Sequence, residues 1–313
     1  MTTLSWVVGS GGLLGSAVSA ELVRRGHRVV TETIPWLDED AARTVITSRA
    51  RAVATSDARR VNVVWCAGAG VNGTPREAFD RENDLFAHAL AQLESYAVPR
   101  PEPVTVFHAS SAGGVYAGTP DAPHDESSAV APLGEYGHAK LRAEQRAVDF
   151  GRRTDASVVV GRFANLYGPG QNLSKPQGLI SHLCRGYLLA SPISIYVPID
   201  TLRDYLYISD AAEMVADALD VAARERTDPV TKIFASGNAV TIGAILGACR
   251  SVFRRRPLVV QAASPLSSLQ GRDLRLRSTV WPEIDRRTHR TLPAGIASTL
   301  ESIRSSLLAG HRG

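Results

Sequence analysis

The chain has 313 residues, 44% hydrophobic and 21% charged, with a formal net charge of +4. That composition supports a packed core and excludes a disordered chain, and no apolar run approaches the roughly 18 residues of a membrane span. The positive charges are scattered, with Arg254-Arg255-Arg256 the densest run, so they describe a solvated surface and not the basic stripe of a nucleic-acid binder.

The elements follow in chain order. A strand pattern over 4–9 runs directly into a helical pattern over 12–25. Strands over 27–33, 61–69, 104–111 and 157–166 then alternate with helices over 38–58, 76–97 and 135–153. Breaks rich in Pro and Gly fall at 99–103, 119–132 and 168–178. Several strands are apolar on both faces, as buried parallel strands are. The alternation predicts an α/β fold, a Rossmann-type doubly wound parallel sheet with helices on both faces. Beyond about residue 168 it weakens to helices over 179–189, 209–226, 241–253 and 293–308 and a strand over 232–236. This predicts a main-sheet domain over 1–168 and a small C-terminal lobe over 169–313, with returns to the main sheet at about 200–240. The three cysteines, Cys66, Cys184 and Cys249, are too few and too far apart for a disulfide framework or a zinc site. No metal is expected. Without a charged leader before the first strand, the expected setting is reduced and cytoplasmic.

Between the first strand and helix lies Gly9-Ser10-Gly11-Gly12-Leu13-Leu14-Gly15. Gly9 permits the tight turn, Gly12 lets backbone approach a pyrophosphate, and Gly15 lets the helix pack close to the sheet. The helix N-terminus adds free N–H groups and a partial positive charge. The turn predicts a cradle for a nicotinamide dinucleotide. The second strand ends Val30-Thr31-Glu32-Thr33, so Glu32 is the acid available to the adenosine ribose, with Thr33 beside it. No Arg follows closely to read a 2′-phosphate; NAD is therefore expected, with NADP left open.

Tyr136-Gly137-His138-Ala139-Lys140 opens a helical pattern, and four-residue spacing puts Tyr136 and Lys140 on one face. An ammonium close to a phenol favours its ionised form. A phenol so placed can take the proton of a sugar hydroxyl.

Together these motifs resemble the extended short-chain dehydrogenase/reductase superfamily, specifically its NAD-dependent epimerase/dehydratase family acting on nucleotide sugars. The resemblance covers most of the chain. It rests on the glycine turn, Ala67-Gly68-Ala69, Asn83, the run Ser110-Ser111-Ala112-Gly113-Gly114-Val115-Tyr116, the Tyr136/Lys140 pair, the run from Arg162 to Gln171 and that from Arg203 to Asp210. It implies Tyr136 as base, Lys140 as its partner and the holder of the nicotinamide ribose, and a hydroxyl of Ser110 or Ser111 bridging to the substrate oxygen. It implies that Ala67, Gly68, Ala69, Asn83 and Phe163 complete the cofactor site. Asn165 and Tyr116 would contact the nucleotide sugar, and Arg203 would pair with its diphosphate, a task that suits a planar guanidinium. The implied reaction is epimerisation by transient oxidation of a sugar carbon. Alternatives are a net sugar or ketone reductase or dehydrogenase, and a catalytically impaired dinucleotide sensor. The resemblance also implies a homodimer through the helices over 76–97 and 135–153.

Two departures stand out. The family commonly places a catalytic Ser or Thr where this chain has Ala112, leaving Ser111 to serve. The stretch between Thr33 and Val61 lacks room for the family's further strand, and Asp57 is its candidate for an acid that grips the adenine. His182 and Cys184, two apart on a helix, face different ways and are read as packing; so are His108, Trp65 and Cys66.

Overall fold

The computed structural model describes residues 2–68, 70–96, 104–226, 228–264 and 269–310. Its first half alternates strand and helix: β1 (Thr3–Val8), α1 (Leu13–Arg24), β2 (Arg28–Thr31), α2 (Glu39–Ala54), β3 (Arg60–Trp65), α3 (Arg76–Ser95), β4 (Thr105–Ser111), a short α4 (Ala112–Val115), α5 (Glu135–Arg153) and β5 (Ser157–Phe163). The second half adds β6 (Asn165–Tyr167), α6 (Leu179–Leu188), β7 (Ile193–Ile195), β8 (Leu202–Tyr207), α7 (Ile208–Glu225), β9 (Val230–Phe234), β10 (Ala239–Thr241), α8 (Ile242–Phe253), β11 (Val259–Gln261), β12 (Asp273–Leu274), α9 (Pro282–Asp285) and α10 (Leu292–Leu308).

The main sheet is parallel throughout, in the order β2-β1-β3-β4-β5-β9. Every residue of β5 is buried, which a strand covered on both faces requires. On one face, α2, α3 and α5 cover a core of Trp6, Ile46, Val63, Phe86 and Val160. On the other, α1 and α7 cover Val7, Leu22, Phe107, Val159 and Leu219. Register aligns the strand ends that matter: Val7 lies opposite Thr31, Val8 opposite Trp65, and Ser111 opposite Phe163. The C-terminal ends of these strands share one edge, where open α/β sheets bind ligands.

The helix starts have local causes. Asp38 accepts from Ala41 N at 3.1 Å, Glu39 and Asp40 occupy the first turn of α2, and Ala42, Ile46, Ala50 and Val53 form its buried stripe. That helix stops at Ala54, short of the expected residue 58, because the Thr55 and Ser56 hydroxyls turn back onto Arg51 O and Val53 O. The strand expected over 157–166 breaks at Ala164. There the chain leaves β4 and β9, and β6 pairs instead with β8. The stretch at about 200–240 supplies β9 to the main sheet, whereas β8 joins β6, β10 and β12 in a separate one. The short strands β6, β7, β10, β11 and β12 carry too few residues for alternation to reveal them. Around them α6, α8 and α10 share a second core of Ile180, Leu183, Ile245, Phe253 and Ile296. The strand over 61–69 ends at Trp65, and the helix over 76–97 ends at Ser95; Ala69, Ala97 and the 99–103 break lie outside the described residues. No described helix is long and apolar enough to cross a membrane.

Candidate active site

The glycine turn is shaped by close backbone contacts. Gly9 has φ +86°, and a Cβ there would lie 2.6 Å from Ala67 N, so the turn at the end of β1 presses on the chain leaving β3. A Cβ on Gly15 would lie 2.2 Å from Gly9 O, so α1 packs directly on the turn. Gly12 is the N-cap of α1 and supplies no side-chain cap, while Gly11 and Gly12 are exposed. The first N–H groups of α1 therefore face outward, available to an anion. Leu13 is half-buried, within reach of the loop at Gly170, and Leu14 anchors α1 in the core.

Tyr136 and Lys140 lie at the same edge of the sheet. Lys140 Nζ donates to Ala109 O at 3.2 Å and sits 5.9 Å from the centre of the Tyr136 ring. A Cβ on Gly68 would come within 3.4 Å of Lys140 Nζ and 3.7 Å of Glu82 Oε2, so an ammonium and a carboxylate both reach the exposed turn after β3. Glu82 also accepts from Gly70 N at 3.1 Å, a role for which the sequence carries no motif. The Tyr136 ring packs on Gly114, where a Cβ would meet Cε1 at 2.9 Å. Gly114 N also donates to Ser111 Oγ at 3.2 Å, so Ser111 and Tyr136 converge on one residue. Ala112 is fully buried in the cluster that holds Ile233 and Leu274, whereas Ser111 is half-buried.

Several expected site residues are taken up elsewhere. Ser110 is buried and donates to Glu144 Oε1 at 2.5 Å; Glu144 in turn pairs with Arg162 at 2.6 Å. Tyr116 is fully buried, receives Arg162 Nη1 at 2.6 Å and donates to Asp125 O at 2.9 Å, so it offers no hydroxyl to a sugar. Asn83 donates to Phe79 O at 3.1 Å and Ala139 O at 3.3 Å, tying α3 to α5. Phe163 is a core residue stacked on Phe234. Asp57 is 95% exposed and pairs with Arg28 at the start of β2. It thus lies at the opposite edge of the sheet from the glycine turn and cannot grip an adenine there. Glu32 does lie at the correct edge, just past β2, with exposed Thr33 next to it. It is ion-paired with Arg49 of α2, an arginine the local sequence around Glu32 does not reveal.

Arg203 lies in β8 and is nearly buried. Its Nη1 donates to Leu202 O at 2.8 Å and Arg272 O at 3.4 Å, and burial pushes its pKa down despite the nearby Tyr205 and Asp273. Asn165 is exposed at the start of β6. His182 is held by Lys175 O at 2.9 Å while Cys184 is buried, its thiol pushed up by burial. Burial likewise pushes the Cys66 thiol up to about 12 and the His108 imidazole far down, against the Lys140 charge in the first case and with it in the second. The Cys184 and Cys66 thiols and the His108 imidazole therefore stay neutral, as packing residues do.

Known proteins share this architecture. MoeE5, solved in complex with UDP-glucose and NAD, is 26% identical, with a TM-score of 0.78 over 98% of this chain and 100% of that one. A Thermus thermophilus UDP-glucose 4-epimerase solved with NAD has a TM-score of 0.80 at 20% identity, over 98% of this chain and 100% of that one, a likeness of fold. Among curated relatives, the Escherichia coli dTDP-4-dehydro-6-deoxyglucose reductase is 29% identical over 141 residues, 45% of this chain and 43% of that protein. The Kitasatospora kifunensis dTDP-6-deoxy-L-talose 4-dehydrogenase (NAD(P)(+)) is 26% identical over 247 residues, 75% of this chain and 74% of that protein. The chain thus spans less than half the length of the Escherichia coli relative. The sequence pattern of the NAD dependent epimerase/dehydratase family matches residues 6–233. With its glycine turn, its Tyr–Lys pair and most of its parallel sheet inside that match, the chain belongs to the NAD dependent epimerase/dehydratase family.

Proposed function

We propose that the protein binds NAD and epimerises a nucleotide-diphosphate sugar by transient oxidation of one sugar carbon. The observation that carries this reading is the convergence of Tyr136 and Ser111 on Gly114, with Lys140 alongside, on the sheet edge that also holds the glycine turn. The turn fits a dinucleotide: bare glycine backbone replaces side chains where a Cβ would clash, and α1 starts without a side-chain cap. Bound there, the nicotinamide group would take up hydrogen from the sugar carbon and give it back.

The chain's own residues do the rest. Tyr136 Oη takes the proton of the sugar hydroxyl and later returns it. Lys140, fixed by Ala109 O, stabilises the negative charge that develops on that oxygen. Ser111 offers its hydroxyl to the same sugar oxygen, which is why Ala112 is no obstacle. Arg203 holds a nearly buried positive charge against carbonyl oxygens, and a diphosphate would compensate it; Asn165 faces the same approach from β6. Incubating the chain with UDP-, dTDP- and GDP-sugars tests this. Epimerised sugar without accumulating NADH is expected, and turnover unaffected by Tyr136→Phe would sink the assignment.

A net oxidoreductase is the second reading, favoured by the reductase and dehydrogenase named among the relatives. Steady NADH formation or consumption in the same assay separates it from epimerisation. A sensor would bind NAD and turn over no sugar in the panel. For assembly we propose a homodimer through α3 and α5, which are tied together by Arg146–Asp84 at 3.2 Å and expose Arg81 and Gln145 outward. Light scattering on the eluted protein reads its mass directly.

A further inference from the structure

The first turns of α3 brace the Tyr136–Lys140 pair. Phe79, Glu82 and Asn83 are spaced i, i+3 and i+4, so they share one face of α3. Phe79 is buried, and its ring lies 6.1 Å from the Tyr136 ring with planes at 49°. A Cβ on Gly70 would overlap the same Phe79 ring, so the chain after β3 rests on it. Asn83 donates to Ala139 O, between Tyr136 and Lys140 on α5. Glu82 is the charged member of this face and is half-buried. Its Oε1 accepts from Gly70 N at 3.1 Å. Its Oε2 and Lys140 Nζ lie 3.7 and 3.4 Å from the point that a Gly68 Cβ would occupy. Among the described residues, Gly68's chain neighbours aside, nothing else comes within 4 Å of that point. An ammonium and a carboxylate thus border one small open space. Other ionisable groups nearby are neutral or engaged. Cys66 on the chain leaving β3 and His108 of β4 both feel the Lys140 charge and stay neutral. Glu144, one turn further along α5, is taken up by Arg162 and Ser110, while Arg142 pairs with Asp80 of α3 and Glu135 of α5.

We propose that Glu82 is a positioning residue for proton transfer, which fastens Gly70 and sets against Lys140 a negative charge that keeps Tyr136 a strong base. This rests on the reading of Tyr136 and Lys140 as the proton-transfer pair. An unopposed ammonium favours the phenolate, and a phenol that ionises too readily leaves a base that takes a proton weakly. A carboxylate bordering the same space offsets part of that field. Half-burial makes the offset larger than it would be in open water. The hydrogen bond to Gly70 N fixes where the charge sits, because it commits Oε1 and leaves Oε2 at the space over Gly68. Lys140 is anchored separately, by Ala109 O of β4. The two opposite charges are therefore held by different backbone groups, and Glu82 acts on the Tyr136 oxygen through Lys140 and the local field.

The test needs no substrate. Phenolate absorbance of the purified full chain is followed as pH is raised, and subtracting the same titration of Tyr136→Phe isolates Tyr136. Each further variant is measured with and without Tyr136→Phe. Lys140→Met should move the Tyr136 curve to higher pH. Glu82→Gln keeps an oxygen for Gly70 N but carries no charge, and should move the curve to lower pH by about half a unit or more, roughly a threefold change in the ionisation constant. Glu82→Ala, which also drops the hold on Gly70, should shift it in the same direction. Glu82→Asp, which keeps the charge, should lie closer to wild type. A brace without an electrostatic role would lower the melting midpoint and leave the curve in place. An unmoved curve in Glu82→Gln beside an upward shift in Lys140→Met overturns the inference and leaves the proposed function standing. An unmoved curve in Lys140→Met overturns both.

Discussion

Ser110 and Ser111 are neighbours with opposite duties, and the difference lies in where β4 ends. Ser110 faces α5 and closes the buried Glu144–Arg162 pair, while Ser111 caps α4 and faces the convergence on Gly114. Ser110→Ala should therefore cost about 1–3 kcal/mol of stability, because it leaves a buried carboxylate short of a donor. Its turnover per folded molecule should change little. Ser111→Ala should do the reverse, lowering turnover with a thermal midpoint close to wild type; paired melting and kinetic assays on the two variants read both. Tyr136→Phe should lower turnover by about 10²-fold or more while NAD titration stays unchanged, since only the proton-transfer oxygen is removed. At Gly15 a side chain would meet Gly9 O, so Gly15→Val should abolish dinucleotide binding measured by the same titration. Much of this chemistry was legible in the chain: a YxxxK spacing and a glycine turn are local patterns whose geometry follows from helix and turn. What was hidden depends on tertiary partners. Arg49 stands 17 residues after Glu32 (49 − 32), on another element, and nothing local announces their pairing. Asn83, Tyr116 and Phe163 occupy family positions, yet the position alone does not say that helix, arginine or core will claim their side chains.

Among the elements, the segment between α4 and α5 carries only a β-bridge, His124 with Leu276, and one carboxylate adds a further anchor to its backbone contacts. Glu126 accepts from Ile233 N at 2.8 Å and Ser278 Oγ at 2.6 Å through Oε1, and from Thr279 N at 2.8 Å through Oε2. It thereby ties that segment to β9 and to the chain after β12. Burial by itself would raise the Glu126 carboxyl, but these donors outweigh it and hold the group below its ordinary 4.5. A depressed carboxyl contributes stability that is present above the unfolded value and is lost as pH falls through the folded one. The thermal midpoint of the wild-type chain should accordingly fall more steeply below pH 4.5 than that of Glu126→Gln, whose midpoint should already be lower at pH 7. Equal slopes in a pH series of melts would remove this clamp from the account. The Pro- and Gly-rich composition of 119–132 announced a break but not its anchor, because an anchoring acid has no periodicity. The same limit hid the short strands of the lobe, where two or three residues cannot display an alternation. The long elements were legible for the opposite reason: α5, for example, runs over Glu135–Arg153 as its pattern predicts.

At the scale of the whole molecule, the sheet and the lobe are joined through Lys232. This lysine of β9 is fully buried and donates to Ser278 Oγ, Val280 O and Asp285 Oδ2 at 2.7–2.8 Å, and burial draws its pKa down while Asp285 holds it up. Removing one partner of such a pair strands the other charge, at a cost of about 3–5 kcal/mol. Lys232→Ala should therefore lower the melting midpoint far more than Lys175→Ala at a half-buried lysine. Saturating NAD should act in the other direction, adding about 2.7 kcal/mol at a hundredfold excess over the dissociation constant. A melt insensitive to NAD would count against a folded-state dinucleotide site.

The sixth strand of the sheet has a further consequence, for biosynthesis. β5 ends at Phe163 and its outer partner β9 begins at Val230, 67 residues later (230 − 163). A ribosome making this chain must therefore release a polypeptide whose nearly finished sheet waits with an apolar strand unpaired on one side. Such an edge is a template for pairing with other chains. A fragment stopped at residue 168, where the strand–helix alternation weakens, should emerge sticky and aggregating, and extending it through α7 and β9 should restore solubility. On that outcome, the β5–β9 pairing across the sheet would set where the chain can be cut.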